Sequence, residues 1–372
     1  MTLPASGGEN NVSPQSNSTP RISVTKRDSD GPTRSTAECS AMRVAILGVG
    51  RLGAFHAKVL SETKDVDELR VYDADAGRAK EVATSLKARA AASVDEALKG
   101  VDTAVIVTPT DTHAPLIKKC LDARIATFCE KPIAIGIPET RDIVAHVERA
   151  KGRLQIGFQR RFDAGYRTAR DAIRAGTLGN VFSFVMVSCD RLPPPDAYVA
   201  TSGGQFKDQL IHDFDITRWL FGQEAVEVTA TGSTLGFPQY EAMQDVGTSA
   251  VLVRLSGGSL GLITGLRHNE AGYDIHVEIH GAKDTLAIGV EGRTPWRSVE
   301  PDAPPLAGPP YPSFFVRFDG AYRAELAHFL RFARGEAENA CAAADALEAL
   351  RIAEAASRSY RERRTVKVSE IT

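Results

Sequence analysis

The stretch from Met42 to Asp73 does more than any other to limit what this chain can become. It opens RVAILGVGRLGAFHAKVL and closes on RVYDAD. Arg43 to Leu47 is a short apolar, β-branched run, as expected of a buried parallel strand. Gly48-Val49-Gly50-Arg51-Leu52-Gly53 follows at once, and Ala54 to Leu60 continues as a helix. Glu68 to Tyr72 reads as a second strand, ending on Asp73 about 20 residues past the last glycine.

Each part has a physical job. Gly48 permits a tight turn, Gly50 lets backbone approach a pyrophosphate, and Gly53 lets the helix pack on the strand. The helix start, at Arg51 and Leu52, offers free N–H groups and partial positive charge to phosphates. Asp73 would accept hydrogen bonds from a ribose diol and repel a 2′-phosphate, which favours NAD over NADP. Glycines alone often mark ordinary turns. Here the strand, helix and spaced acid agree on a dinucleotide site.

A length of 372 residues accommodates about two domains with ample core. A formal net charge of -2 argues against nucleic acid or acidic membranes as partners. No apolar run approaches the roughly 20 residues of a membrane span. Five scattered cysteines (Cys39, Cys120, Cys129, Cys189 and Cys341) without a CxxC fit a reducing, cytoplasmic setting. Cys129 reads as a small buried residue rather than a nucleophile. Residues 1–41 are rich in Ser, Thr, Asn, Gly and Pro and lack aromatics, so they are expected to be a disordered extension.

After Asp73, strands alternate with helices through Thr103–Val107, Ile125–Cys129 and Arg153–Gly157. That rhythm predicts an α/β Rossmann domain, a doubly wound parallel sheet over residues 42–160. Strand ends on such sheets bind ligands, so Thr108, Pro109, Thr110, His113 and Glu130 should share a crevice with the glycine turn. Residues 161–372 change character. Val181–Cys189, Val226–Ser233, Thr248–Leu255, Ser259–Leu266 and Asp274–His280 predict an α/β domain with a large, open, mostly antiparallel sheet. Helices over Ala164–Arg174 and Gln205–Phe221 are expected to cover one face.

Three places carry chemistry. Lys131 ends a strand beside Pro132, which holds it extended; a strand-end lysine is otherwise a solvated charge. Asp208, His212, Asp215 and Trp219 share one stripe of a continuous helix over 205–221, with Phe206, Leu210, Phe214 and Phe221 on the core side. An acid and an imidazole four residues apart make a general base, Asp208 orienting the ring; a plain helix-surface pair is the bland alternative. Asp274, His276, Glu278 and His280 alternate onto one strand face, read as a wet or subunit-facing side rather than a metal site.

Together GVGRLGAFH, TPTDTH, CEKP, QIGFQRRFD, GGQFKDQLIHDFD and DALEALRIAEAA resemble the Gfo/Idh/MocA oxidoreductases, from Met42 to about Val368. GFQRRFD, IHDFD, GYDIHVEIHG and RFDGAY look closest to the inositol 2-dehydrogenases within them. The resemblance implies a catalytic set of Lys131, Asp208 and His212, with His212 taking an alcohol proton and Lys131 holding the reacting oxygen. It implies a cis peptide before Pro132. It places Gln159, Arg160, Tyr273 and Tyr322 at a cyclic polyol or sugar, and it implies a homo-oligomer, dimer or tetramer, joined through the open sheet. Gln159 stands where Met is expected, and Asp190-Arg191-Leu192-Pro193 replaces a His-Arg-Asn-Pro-like stretch. Both touch the substrate pocket, so a scyllo isomer or a pyranose is weighed beside myo-inositol. A sugar 1-dehydrogenase, a ketose reductase, an NAD-dependent glycosidase and a non-catalytic sugar sensor are the alternatives.

Overall fold

β1 (Met42–Leu47) forms because its apolar run from Val44 onward has cover on both faces; Val44 through Leu47 are wholly buried. The computed structural model describes residues 41–372, all within one compact unit. The expectation for the segment ahead of Met42 therefore lies outside the described residues, Ala41 apart. After β1 come α1 (Arg51–Ser61), β2 (Val66–Tyr72), α2 (Ala76–Ser85), β3 (Arg89–Ala90), α3 (Val94–Leu98) and β4 (Thr103–Ile106). Then follow α4 (His113–Asp122), β5 (Ala126–Glu130), α5 (Ile137–Ala150) and β6 (Leu154–Gly157). These strands make one parallel sheet in the order β3-β2-β1-β4-β5-β6. The order reverses between β1 and β4, and a crevice opens at the carboxyl ends of that pair.

The rest of the chain builds a second sheet. Its elements are α6 (Ala164–Arg174), β7 (Val181–Cys189), α7 (Asp196–Val199), α8 (Gln205–Asp208), α9 (Ile211–Phe221) and β8 (Ala225–Ser233). They continue with α10 (Gln239–Ala242), β9 (Thr248–Leu255), β10 (Leu260–Leu266), β11 (Asp274–Gly281), β12 (Thr285–Ile288) and α11 (Phe314–Arg317). The chain closes with α12 (Asp319–Arg334), α13 (Ala343–Glu362) and β13 (Val366–Lys367). The order is β12-β11-β7-β10-β9-β8-β13. The sheet is antiparallel except at its centre, where β7 and β10 run parallel. That exception sets Cys189 beside Leu266 and brings two strand ends together.

The expected continuous helix over 205–221 is corrected. The Leu210 N–H bonds the Gln205 carbonyl, five residues back, at 3.0 Å. Such a slip is a π-type irregularity, and α8 ends before α9 begins. Phe206, Leu210, Phe214 and Phe221 are buried as expected. Asp215, expected on the polar stripe, is instead buried against Arg161, whose Nη2 lies 2.5 Å away.

The stripe Asp274, His276, Glu278, His280 is also corrected. Asp274 and His276 are buried. The Asp274 carboxylate meets His276 Nδ1 at 2.9 Å and accepts from Trp296 Nε1 at 3.0 Å. The segment after β12 folds over that end of the strand, so only Glu278 and His280 keep partial exposure.

α12 docks away from its neighbours in sequence. Its Leu326, Phe329, Leu330 and Ala333 share a core with Val44, Ile46 and Phe128 of the first sheet. Alanine-rich α13 packs on β8, α9 and α5, where small side chains permit close approach.

Candidate active site

The glycine turn comes first. Gly48 has φ of +87°, and a Cβ there would meet the Val107 carbonyl oxygen at 2.7 Å. A Cβ on Gly53 would sit 2.0 Å from the Gly48 oxygen, so α1 reaches the turn only without a side chain. Nothing lies within 4 Å of a Cβ built on Gly50. No side chain caps α1, so the amides of its first turn remain available. Asp73 closes the turn from the second strand; its Oδ2 accepts the Val49 amide at 2.8 Å. Its Oδ1 accepts from Asp75 N at 2.9 Å and from Arg78 Nη1 at 3.3 Å. Glycine space, uncapped amides and a placed acid fit a dinucleotide. Arg51 is exposed at the helix start, its guanidinium over the rings of Phe314 and Phe315, while Leu52 is half-buried.

The Thr108-Pro109-Thr110 loop follows β4. The Gly48 turn lies against Thr108 N, and the Thr112 hydroxyl donates to Thr108 Oγ1 at 2.6 Å. His113 was expected to face the cofactor. It is buried, with Nδ1 2.7 Å from the Pro132 carbonyl and Nε2 2.8 Å from that of Thr108. It therefore joins two strand-end loops from behind. Glu130 likewise turns inward, with Oε1 2.7 Å from His56 Nε2.

The peptide between Lys131 and Pro132 is cis. Lys131 Nζ donates to the Asp208 carbonyl at 2.8 Å and lies 3.5 Å from Asp208 Oδ1. Asp208 Oδ1 also accepts from the Tyr198 hydroxyl at 2.8 Å, and Oδ2 accepts from Arg267 Nη1 at 2.9 Å. Burial works to raise this carboxyl, but Lys131 and Arg267 outweigh it and hold it below the ordinary carboxylate value. The expected Asp208–His212 hydrogen bond is absent. The slip at Leu210 turns the two side chains apart, and Asp208 bonds Tyr198 and Arg267 instead. The His212 Nδ1 is buried and unpartnered, and the ring stands edge-on to Phe158 at 5.8 Å. Burial, then the charges of Lys131 and Arg160, push its pKa well below 6.5, so the ring is neutral.

Around this pair the remaining expected residues divide. Arg160 is buried, paired with Asp213 at 2.7 Å and hydrogen-bonded to Ser188 at 3.2 Å. Gln159 and Tyr273 are buried too; the Tyr273 phenol is pushed up by burial, with Arg160 and Asp190 among the charges it feels. Tyr322 packs edge-on against His56 and Phe55 of α1, both ring centroids 5.5 Å away.

Arg267 and Tyr198 escaped the sequence reading, and Asp190 entered it only as part of an altered stretch at the substrate pocket. Arg267 is buried between Asp208 and Asp245, its Nη2 3.2 Å from the latter. Asp190 directly follows β7, and Arg267 directly follows β10. The parallel pairing makes these neighbours, and the Asp190 N–H bonds the Leu266 carbonyl at 2.9 Å. Burial raises the Asp190 carboxyl to about 7, with Arg267, Asp208 and Lys131 among the surrounding charges. Gln209 Nε2 donates to it at 3.1 Å. Their positions one residue beyond two strands were a readable signal; that the two ends adjoin was not.

A glycine turn shaped for a dinucleotide, opening on a lysine, a held carboxylate and a neutral imidazole, defines an NAD-dependent oxidoreductase. Comparison with known proteins specifies it further. Residues 42–158 match the family model "Oxidoreductase family, NAD-binding Rossmann fold", and residues 170–368 match "Oxidoreductase family, C-terminal alpha/beta domain". The chain belongs to the Gfo/Idh/MocA oxidoreductase family. It is 36% identical over 331 residues to an inositol 2-dehydrogenase of Rhizobium meliloti, covering 88% of this chain and 99% of the relative. It is 32% identical to a scyllo-inositol 2-dehydrogenase (NAD(+)) of Bacillus subtilis, covering 86% and 94%. The crystal structure of a myo-inositol dehydrogenase from Corynebacterium glutamicum superposes with a TM-score of 0.80 at 34% identity, covering 88% and 98%.

Proposed function

We propose that this enzyme oxidises a ring secondary alcohol of a cyclic polyol, myo- or scyllo-inositol foremost, to the corresponding ketone. The observation that carries the reading is the neutral, half-buried His212, its Nδ1 buried and unpartnered, close to a lysine pinned by Asp208. Gly48, Gly50 and the first amides of α1 would hold the cofactor's pyrophosphate, Asp73 its ribose, and the Thr108–Thr110 loop would line its path. When bound, NAD⁺ supplies the hydride acceptor. The chain's residues handle the proton. Lys131 keeps one hydrogen bond to Asp208, and its remaining donors hold the substrate oxygen. Its charge favours the alkoxide that forms as the proton leaves. His212 accepts that proton, and its low pKa keeps it a base at neutral pH. Asp208, held ionised by Lys131 and Arg267 and fixed by its bonds to Tyr198 and Arg267, positions the lysine rather than the imidazole.

Arg160 and Tyr273 would bound the substrate pocket, with Gln159 and Asp190 beside them. The open face of the second sheet supports a homo-oligomer. Leu252 and Leu260 are exposed there, flanked by Val185 and Leu262 on the same face. NADH formation across a panel of inositols, aldoses and glycosides tests the activity. Turnover of an inositol is the expected result. Aldose turnover alone would move the substrate to a pyranose, and silence across the panel with NAD bound would overturn the dehydrogenase reading.

A further inference from the structure

A cleft of about 550 Å3 lies outside the crevice, between α6, the end of α9, α12 and the residues leading into α13. Its lining includes Arg161, Arg167, Arg170, Arg218 and Arg331. Arg161 is held by Asp215 at 2.5 Å and Asp345 at 3.1 Å, and Arg218 by Glu224 at 2.6 Å. Arg167, Arg170 and Arg331 form no ion pair among the described residues.

Exposed Arg167 and Arg331 by themselves would be ordinary solvated charges. Arg170 is different. Its guanidinium lies 4.0 Å over the Trp219 ring, and its Nε is buried without a hydrogen-bond partner. Stacking holds the plane in place before any ligand arrives, and a buried unpaired donor costs free energy until something accepts from it. Burial, then the charges of Arg174 and Arg161, lower its pKa to about 10, which marks uncompensated positive charge. The nearby His328 is pushed down by burial and by Arg331 and Arg167, so it adds no charge of its own.

We propose that this cleft binds a small anion carrying several phosphate groups, with Arg167, Arg170 and Arg331 as its ligands. The volume lies in the range of small-molecule sites, roughly 300–1,000 Å3, and is too small for a macromolecule. Planar guanidinium forks match phosphate oxygens two at a time. Three unpaired cations call for a multiply charged ligand.

The test uses the full chain saturated with NADH, so that the glycine turn is filled. Sodium tripolyphosphate, orthophosphate, ATP and citrate are titrated by calorimetry at fixed ionic strength. Tripolyphosphate should bind at least about tenfold more tightly than orthophosphate, and R167Q/R170Q/R331Q should lose about tenfold or more. ATP tighter than tripolyphosphate assigns a nucleotide source; equal affinities assign the polyphosphate chain alone. Should the triple variant fail to bind NADH, R331Q alone, at an exposed position, should still weaken binding several-fold. In a W296F background the remaining tryptophan, Trp219, should change its emission on titration. Unchanged affinity in the arginine variants, or citrate binding more tightly than tripolyphosphate, would overturn the proposal.

Discussion

Single side chains set the chemistry here, and their environments say how each should respond. His212→Ala removes the proposed base and should lower kcat by roughly 10²–10⁴; near-normal turnover would assign the base elsewhere. A histidine whose pKa is pushed below 6.5 stays neutral until the pH falls past that lowered value. The acid limb of kcat/KM from His212 should therefore fall below pH 6.5, the value from which burial displaces it. A second ionisation near 7 should appear from Asp190, which is protonated below that pH and anionic above it. Asp190→Asn should abolish this second limb while leaving the His212 limb in place. Asp73→Ser should relax discrimination against NADP. It removes the repelling carboxylate and frees Arg78, now 3.3 Å from Asp73. An unchanged ratio of NAD to NADP efficiency would undo the assignment of Asp73.

Elements position these side chains through close approaches and strand ends. Gly53→Ala places a Cβ 2.0 Å from the Gly48 oxygen. The helix must then back away from the turn, so NADH affinity in a fluorescence titration should drop together with the melting temperature. Arg267 joins the end of β10 to Asp208 and Asp245. Arg267→Met would strip buried Asp245 of its ion-pair partner and leave Asp208 to Lys131 and Tyr198 alone, and should cost about 3–5 kcal/mol, seen as a lowered denaturant midpoint. The α8–α9 slip shows why spacing alone misled. Asp208 and His212 are four apart in sequence, but a single displaced hydrogen bond at Leu210 breaks the helix between them. Gln209 shows what the displacement accompanies, since its side chain donates to the carbonyls of Ser188 and Leu266 and to Asp190.

At the scale of the whole molecule, α12 and α13 return to cover the first sheet and its flanking helix. Residues 339–341 run along β6, with the Asn339 side chain donating to the Leu154 carbonyl at 2.7 Å and the Ile156 N–H to that of Cys341 at 3.0 Å. The first sheet's layers thus depend on the last third of the chain. On the opposite face, Leu252 is 58% exposed at the middle of an open sheet. If that face joins copies of the chain, Leu252→Asp should lower the mass measured by light scattering while leaving the monomer folded. An unchanged oligomer would place the contact elsewhere. No helix among the described residues is long and apolar enough to cross a membrane.

Local rules carried the first sheet, because a buried parallel strand, a glycine turn and a spaced acid are short-range patterns written in consecutive residues. Gly48, Gly50, Gly53 and Asp73 were legible for that reason, as was the strand-end place of Lys131. The partners of those residues were not. Arg267, which bonds Asp208, and Asp190 become neighbours only because β7 and β10 lie parallel and adjacent, a pairing between strands more than seventy residues apart, and Tyr198 reaches Asp208 from the separate helix α7. The burial of Asp274 and His276 was likewise hidden, since the alternation in β11 names a face but not what lands on it. Periodicity records which way a side chain points within its element. Which charges meet there is settled by the packing of elements distant in sequence, and here that packing decides which carboxylate holds the lysine and which histidine stays neutral.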